Sequence, residues 1–252
     1  MIASDLAMAL DPAAFAARAT GFTLDDWQRA ALRTASPRML WCVSRQAGKS
    51  ATAALLALHT ATYHPGSTTL LLSPSQRQSS ELHRKVLDAH RALGSRATAE
   101  AETALRLELA NGSRVVSLPG RTDATVRGYA ADLVIVDEAS RVEDALYHSL
   151  RPMIAVRGGR LLALSTPYGK VGWFHHEWTE GGDAWERTRV TAYDCGRIAS
   201  TFLDEERRSM PAAWFRQEYE CSFEEAEDAV FRADDIRAAF SDEVRPLFGG
   251  TL

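Results

Sequence analysis

The stretch SRQAGKS, residues 44–50, lies between the apolar run RMLWCV (38–43) and a segment of strong helix formers, SATAALLALHTATY (50–63). A buried strand that passes through a glycine-bearing loop straight into a helix is the setting of a phosphate-cradling turn. In that setting Gly48 lets successive backbone N–H groups turn toward phosphate oxygens, and the positive end of the following helix favours the anion. Lys49 then neutralises β- and γ-phosphate charge, and the Ser50 hydroxyl is available to Mg2+. The full pattern begins with a glycine, where this chain has Val43. Gly-Lys-Ser alone also fits a surface turn, so the flanking strand and helix carry the phosphate reading.

The rest of the chain repeats that alternation. TTLLLS (68–73), DLVIVD (132–137), GRLLALS (159–165) and AWERTRVTAY (184–193) read as further strands. Between them, SQRQSSELHRKVLDAHRAL places Leu82, Val86 and Leu93 on one helical face, with Ser73-Pro74 as cap and first turn, and a second helix is expected over 141–155. Residues 1–36 read as helical up to Pro37, and alternation around Asn111-Gly112 predicts a hairpin over 104–120. Strands alternating with helices imply an α/β fold with a mostly parallel sheet covered on both faces.

Composition narrows the functional classes. No apolar run approaches the roughly 20 residues of a membrane span, and the N-terminus carries Asp5 and Asp11 without a basic region ahead of an apolar stretch. The expectation is a cytoplasmic protein with no membrane association. Cys42, Cys195 and Cys221 are scattered, which argues against a disulfide framework or structural zinc. A net charge of −4 argues against nucleic-acid binding by bulk charge while leaving room for a local basic face. Lysine occurs only at positions 49, 85 and 170.

A second motif bears on chemistry. In DLVIVDEAS, Asp137 and Glu138 fall at the C-terminal edge of a buried strand, where open α/β sheets bind ligands. Asp137 suits the Mg2+ shell, and Glu138 suits the general base that polarises an attacking water. Paired acids also begin solvated helices, and it is their coupling to the Gly-Lys-Ser loop that favours catalysis. Ser165-Thr166-Pro167 ends another strand, where a small hydroxyl can sense a γ-phosphate or merely cap a turn. Gln28, ahead of the first strand, is placed either to read an adenine edge or to face solvent.

Arg45-Gln46 inside the loop, DEAS, STP-x-G, TVRGYAADLVIVDE and FRQEYECSF together resemble the ATPase domain of the large terminase subunit of tailed bacteriophages, over roughly residues 20–231. That family often replaces the first loop glycine, which accommodates Val43. The resemblance implies a P-loop NTPase of RecA/ASCE type, with an ATPase core at 1–195, a helical lid and linker at 196–240, and at 241–252 the start of a linker to a nuclease domain. ATP and Mg2+ are the implied cofactors. Ser44, Arg45, Gln46, Ala47, Gly48, Lys49 and Ser50 would surround the phosphates, Ser50 and Asp137 the metal, Glu138 would be the base and Thr166 the coupling residue. Arg45 and Arg127 compete for the role of arginine finger; Arg45, beside its own nucleotide, is assigned in cis and Arg127 in trans.

The implied partners are double-stranded DNA bound without sequence preference, a homo-oligomeric ring of this chain on a portal, and the small terminase subunit, in the host cytoplasm and transiently at the procapsid. ATP hydrolysis without DNA cleavage is expected of a chain ending at SDEVRPLFGGTL. Arg96, Arg106 and Arg114 near the hairpin are candidate DNA contacts, against the alternative of a solvated hairpin face. Two other readings remain open: a helicase-like DNA translocase, although the stretch after STP is too short for a second RecA-like domain, and a nucleotide-dependent assembly module that does not hydrolyse.

Overall fold

The computed structural model describes residues 2–21, 23–94, 97–119, 128–225 and 239. In chain order the elements are α1 (Ile2–Leu10), α2 (Pro12–Thr20), α3 (Asp26–Arg33), β1 (Arg38–Val43), α4 (Lys49–Tyr63), β2 (Thr68–Ser73) and α5 (Gln76–Leu93). There follow β3 (Ala99–Glu102), β4 (Arg106–Leu109), β5 (Arg114–Pro119), β6 (Leu133–Asp137), α6 (Asp144–Ala155), β7 (Arg160–Ser165) and α7 (Gly172–Thr179). β8 (Glu186–Val190), α8 (Ser200–Ser209) and α9 (Ala212–Tyr219) complete them.

The eight strands form one sheet in the order β3-β4-β5-β2-β6-β7-β1-β8. From β5 to β8 all neighbours are parallel, and β3 and β4 add an antiparallel margin. The apolar runs alternate between two cores, as successive residues of a strand must. Met39, Trp41 and Val43 of β1, Leu133 and Ile135 of β6, and Leu162 and Leu164 of β7 pack under α2–α5. Leu40, Val134, Val136, Leu161 and Ala163 face the opposite side, against α6 and α7. Burial on both faces is what makes these strands continuously apolar and leaves only their ends free for polar work.

Local chemistry moves several expected boundaries. The N-terminal stretch is three helices, not one: Asp11 caps α2 by accepting from Ala13 N–H, and Gly21 closes it in the left-handed region. Ser73 belongs to β2, and Ser75 caps α5 by accepting from Gln78 N–H. The hairpin around Asn111-Gly112 forms between β4 and β5. The edge strand β3, AEAE, is an addition that its composition does not announce. Among the described residues no helix is long and apolar enough to cross a membrane.

Helices α8 and α9 hang on little. Leu203 and Phe215 are the buried apolar anchors of α8 and α9, joined by Ala192 in a small third core. Each such side chain contributes roughly 1.5–3 kcal/mol.

His59 of α4 is buried, with Nε2 3.1 Å from the Met8 carbonyl and its ring edge-on to Phe15. Burial holds its pKa below the ordinary value of 6.5, as it does for His83 of α5. The folded state therefore binds fewer protons than the unfolded one; the contribution to stability is complete above about pH 6.5 and is lost as pH falls toward the lowered pKa. Urea unfolding is expected to show a lower midpoint at about pH 5.5 than at about pH 7.5, and His59→Gln, which keeps a donor to Met8, to make the decline shallower. An unchanged slope in that variant would rule out His59 as a contributor.

Candidate active site

At the end of β1 the backbone leaves the sheet under external restraint. Ser44, fully buried, donates its N–H to the Val190 carbonyl of β8 at 2.9 Å. Arg45 N–H donates to the Glu218 carbonyl of α9 at 3.2 Å, and Arg45 Nε lies 2.6 Å from Glu218 Oε2. Gln46 (φ 62°) and Gly48 (φ 91°) are both left-handed. Between them Ala47 is fully buried, and its carbonyl accepts from Arg197 Nη2 at 2.9 Å. A Cβ at position 48 would stand 3.0 Å from Gln28 Nε2 and 3.3 Å from Arg197 Nη2, so a side chain there would crowd both, and the φ of 91° favours glycine. The Gly48 carbonyl accepts from both the N–H and the hydroxyl of Thr52, which closes the first turn of α4.

Lys49, at the first position of α4, is 8% exposed, and its Nζ lies 3.6 Å from Glu138 Oε1. Asp137, 7% exposed at the end of β6, accepts the Glu138 N–H on Oδ1 at 3.0 Å. Burial, followed by the neighbouring Glu138 carboxylate, pushes the Asp137 pKa up; Lys49, a hydrogen bond from Ser50 and the charge of Lys85 pull it back. Glu138 is left-handed at φ 52°, uncommon for a residue with a Cβ and a frequent mark of functional sites. From β7, Ser165 Oγ lies 2.6 Å from Ser140 Oγ, and Ser140 donates to the Thr166 carbonyl at 2.8 Å. One hydroxyl thus ties the segment after Glu138 to Thr166, itself buried.

The sequence-derived residues Ser44 to Ser50, Asp137, Glu138 and Thr166 all lie at the C-terminal edge of the sheet. Gln28 sits beside Gly48 with its amide engaged: Oε1 accepts Asp25 N–H at 2.9 Å and Nε2 donates to Thr52 Oγ1 at 2.9 Å. Arg127 and Arg96 lie outside the described residues. Arg106 pairs with Glu108 beside it, and Arg114 donates to Thr68 Oγ1 at 3.1 Å while lying over the Tyr129 ring. Sequence reasoning assigned no role to Glu218, Arg197, Lys85 or Ser140, although Ser140 lies inside DEAS and Glu218 inside FRQEYECSF. A cavity of about 360 Å3 opens beside the loop, lined among others by Leu24, Gln28, Gly48, Thr52, Lys85 and Arg197. Cys42, next to the loop, is an inert thiol: its hydrogen bond with Cys221 and its burial raise its pKa well above the ordinary value.

Chemically, the site offers a helix N-terminus with a flexible cation, a buried carboxylate with a hydroxyl beside it, and a second carboxylate facing the cation. Asp137 and Ser50 are hard oxygen donors. Among the described residues no three His, Cys, Asp or Glu side chains gather around a common point. Such a donor set fits a cation of Mg2+ type, which keeps waters and shares phosphate oxygens with its substrate.

Comparison with known proteins places this fold. Residues 41–238 match the family model described as terminase large subunit, T4-like-virus type, N-terminal. The large terminase subunit of Escherichia phage T5 is 30% identical over 217 residues, covering 82% of this chain and 48% of that protein. That of Thermus phage G20c is 26% identical over 246 residues, covering 83% and 50%. The chain therefore spans about half the length of the curated relatives it matches. Among solved structures, the ATPase domain of the Thermus phage P74-26 large terminase aligns with a TM-score of 0.71 at 23% identity, covering 82% of this chain and 97% of that one. The large terminase of another thermophilic bacteriophage, solved in complex with ADP, aligns at 0.61 and 16% identity, covering 79% and 51%. At these identities the structural likeness speaks for the fold.

Because burial disfavours the ionised Asp137, Asp137→Asn should leave the ligand-free protein as stable as the wild type or more so. Urea denaturation without nucleotide or divalent cation checks this; a loss above about 1 kcal/mol, a typical cost of a disruptive substitution, would mean that Lys49 and Ser50 outweigh the burial.

Proposed function

Because the chain belongs to the terminase large subunit family, in its T4-like-virus type and N-terminal part, we propose that it is the ATP-hydrolysing domain of a motor that drives double-stranded DNA into a procapsid. The observation that carries this reading is Lys49 Nζ facing Glu138 Oε1 at 3.6 Å, with Asp137 buried beside them. A phosphate-binding cation, a metal-type carboxylate and a base-type carboxylate thereby share one small volume. A protein that only bound nucleotide would have no use for the third.

In the proposed reaction the triphosphate lies along the N–H groups of Gln46 to Ser50. Lys49 leaves Glu138 for the β- and γ-phosphates, which frees Glu138 to accept a proton from the water that attacks the γ-phosphorus, with ADP departing. Ser50 and Asp137 would hold Mg2+, which would supply charge neutralisation to the phosphates. Arg45 exchanges Glu218 for the γ-phosphate in cis, and Thr166 reads phosphate loss through Ser140. Gln28 borders the base-side cavity with one amide N–H beyond its bond to Thr52. Residues 1–195 form the ATPase core, and 196–240 a lid that α9 latches to the loop through Glu218. Arg127 acts in trans as the finger of a ring-forming subunit, on a portal and with the small terminase subunit. DNA contact is electrostatic and indifferent to sequence, since a translocating motor cannot depend on base identity.

Steady-state ATP hydrolysis with Mg2+, measured over a wide range of protein concentration, tests the reading. Lys49→Ala should lose nucleotide binding and turnover together. Glu138→Ala should keep nucleotide and lose about 10²–10⁴-fold in rate, the usual worth of a general base. Specific activity should rise with concentration. Turnover that survives Glu138→Ala would remove the base assigned here, and a wild type that binds without turnover would favour an assembly module. A flat concentration profile, together with full activity of Arg127→Ala, would move the finger to Arg45.

A further inference from the structure

Arg197 belongs to none of the motifs above. It lies between β8 and α8, and its guanidinium reaches back over the loop that follows β1. Nη2 donates to the Ala47 carbonyl at 2.9 Å, stands 2.8 Å from Asp25 Oδ2, and has Cys195 Sγ behind it at 3.6 Å. We propose that Arg197 is a positioning residue for the nucleotide: by holding the Ala47 carbonyl it aims the Gly48 N–H, and with it the start of α4, at the phosphate. The proposal rests on the ATPase reading above and deepens it.

A single peptide plane links the Ala47 carbonyl to the Gly48 N–H. In a trans peptide the carbonyl of residue 47 and the N–H of residue 48 point in opposite directions within one rigid plane. Fixing the carbonyl on the Arg197 side therefore fixes the N–H on the other. That plane runs from Ala47 to left-handed Gly48, one residue after left-handed Gln46, which costs energy to hold. A guanidinium is suited to the task because it is planar, always charged and able to serve two acceptors at once.

Arg197 is itself held. Asp25 supplies the opposing charge, and Asp25 N–H is bonded to Gln28 Oε1 while Gln28 Nε2 is bonded to Thr52 Oγ1, whose hydroxyl also donates to the Gly48 carbonyl. The loop and the first turn of α4 are thus clamped from one side by Asp25, Gln28 and Arg197, and from the other by Glu218 through Arg45. The Arg45 clamp is the one that the proposed reaction releases; the Arg197 clamp grips the loop through its backbone alone and stays in place.

Backbone N–H groups that cradle the phosphates contact substrate and transition state alike, so losing their aim should weaken binding and leave the chemical step nearly intact. The test is titration with a fluorescent ADP analogue and Mg2+, together with ATP kinetics. Arg197→Ala should raise the dissociation constant about 10-fold or more, the worth of a lost charged hydrogen bond. KM for ATP should rise in parallel while kcat stays within about threefold. Arg197→Lys, which keeps the charge but not the fork, should fall between wild type and Arg197→Ala. Arg208→Ala, on the exposed face of α8, serves as control and should bind within about twofold of wild type. Asp25→Asn should weaken binding in the wild type and add nothing on top of Arg197→Ala, as coupled partners do.

Wild-type affinity in Arg197→Ala, a fall in kcat with KM unchanged, or additive effects of the two substitutions would each overturn the proposal. If Arg197→Ala does not fold, wild-type affinity in both Arg197→Lys and Asp25→Asn overturns it equally. A wild type that fails to bind ADP, or a Lys49→Ala variant that binds as well as wild type, would instead sink the ATPase reading beneath it.

Discussion

The loop after β1 holds a shape that its own residues do not prefer. Gln46 carries a Cβ in the left-handed region, and Gly48 is left-handed two residues on. The loop is too short to stabilise such a course from within, so the restraint comes from outside. It comes from the Val190 carbonyl of β8, from Glu218 of α9 and from Arg197 beyond β8. All three lie more than a hundred residues downstream. A phosphate-ready loop therefore exists only once β8 has docked beside β1 and the last helices have folded back over it.

The sheet makes that dependence workable. Because β7 lies between β1 and β6, the first turn of α4 and the end of β6 flank a gap one strand wide. Lys49 spans it to Glu138, and Ser165 and Ser140 close its floor. α8 and α9 are held differently. Leu203 and Phe215 are their buried anchors, and the Arg45–Glu218 pair is a largely exposed arginine on a half-buried carboxylate, worth little by itself in water. Helices attached this lightly can change partners while the two large cores, packed on both faces of the sheet, remain intact.

What the sequence revealed follows the range of the interactions concerned. β1, the loop, α4 and the acidic end of β6 were legible because each is a local pattern: an apolar run, a glycine where the chain must turn left-handed, a carboxylate pair after four apolar residues. Three helices in place of one over the N-terminal stretch were hidden because Asp11 and Gly21 act as caps only when the flanking turns form. Ser75 outcompeted Ser73 as the cap of α5 because β2 runs one residue further than its apolar letters. Arg197 carried no signal, and Glu218 lay in FRQEYECSF without its role being readable. An arginine or glutamate acquires its role from what the fold brings near it, and their partners are backbone carbonyls and a loop arginine far away in the chain. The edge strand AEAE was unreadable for a related reason: its pairing with β4, not its own propensity, makes it a strand.

The charges at the sheet edge are arranged for something that is both anionic and accompanied by a cation. Asp137 and Glu138 are adjacent, and Lys49 faces only the second of them; taken together the three groups carry one net negative charge in a largely buried volume. Burial raises the Asp137 pKa because nothing fully compensates it. A divalent cation would relieve that imbalance, and would leave a site able to accept phosphates only if Lys49 turned away from Glu138 toward them. The same movement would leave Glu138 without its positive neighbour and free to face a water. The 3.6 Å pair between Lys49 and Glu138 is thus, in the proposed mechanism, a resting arrangement in which the cation and the carboxylate hold each other until phosphates would separate them.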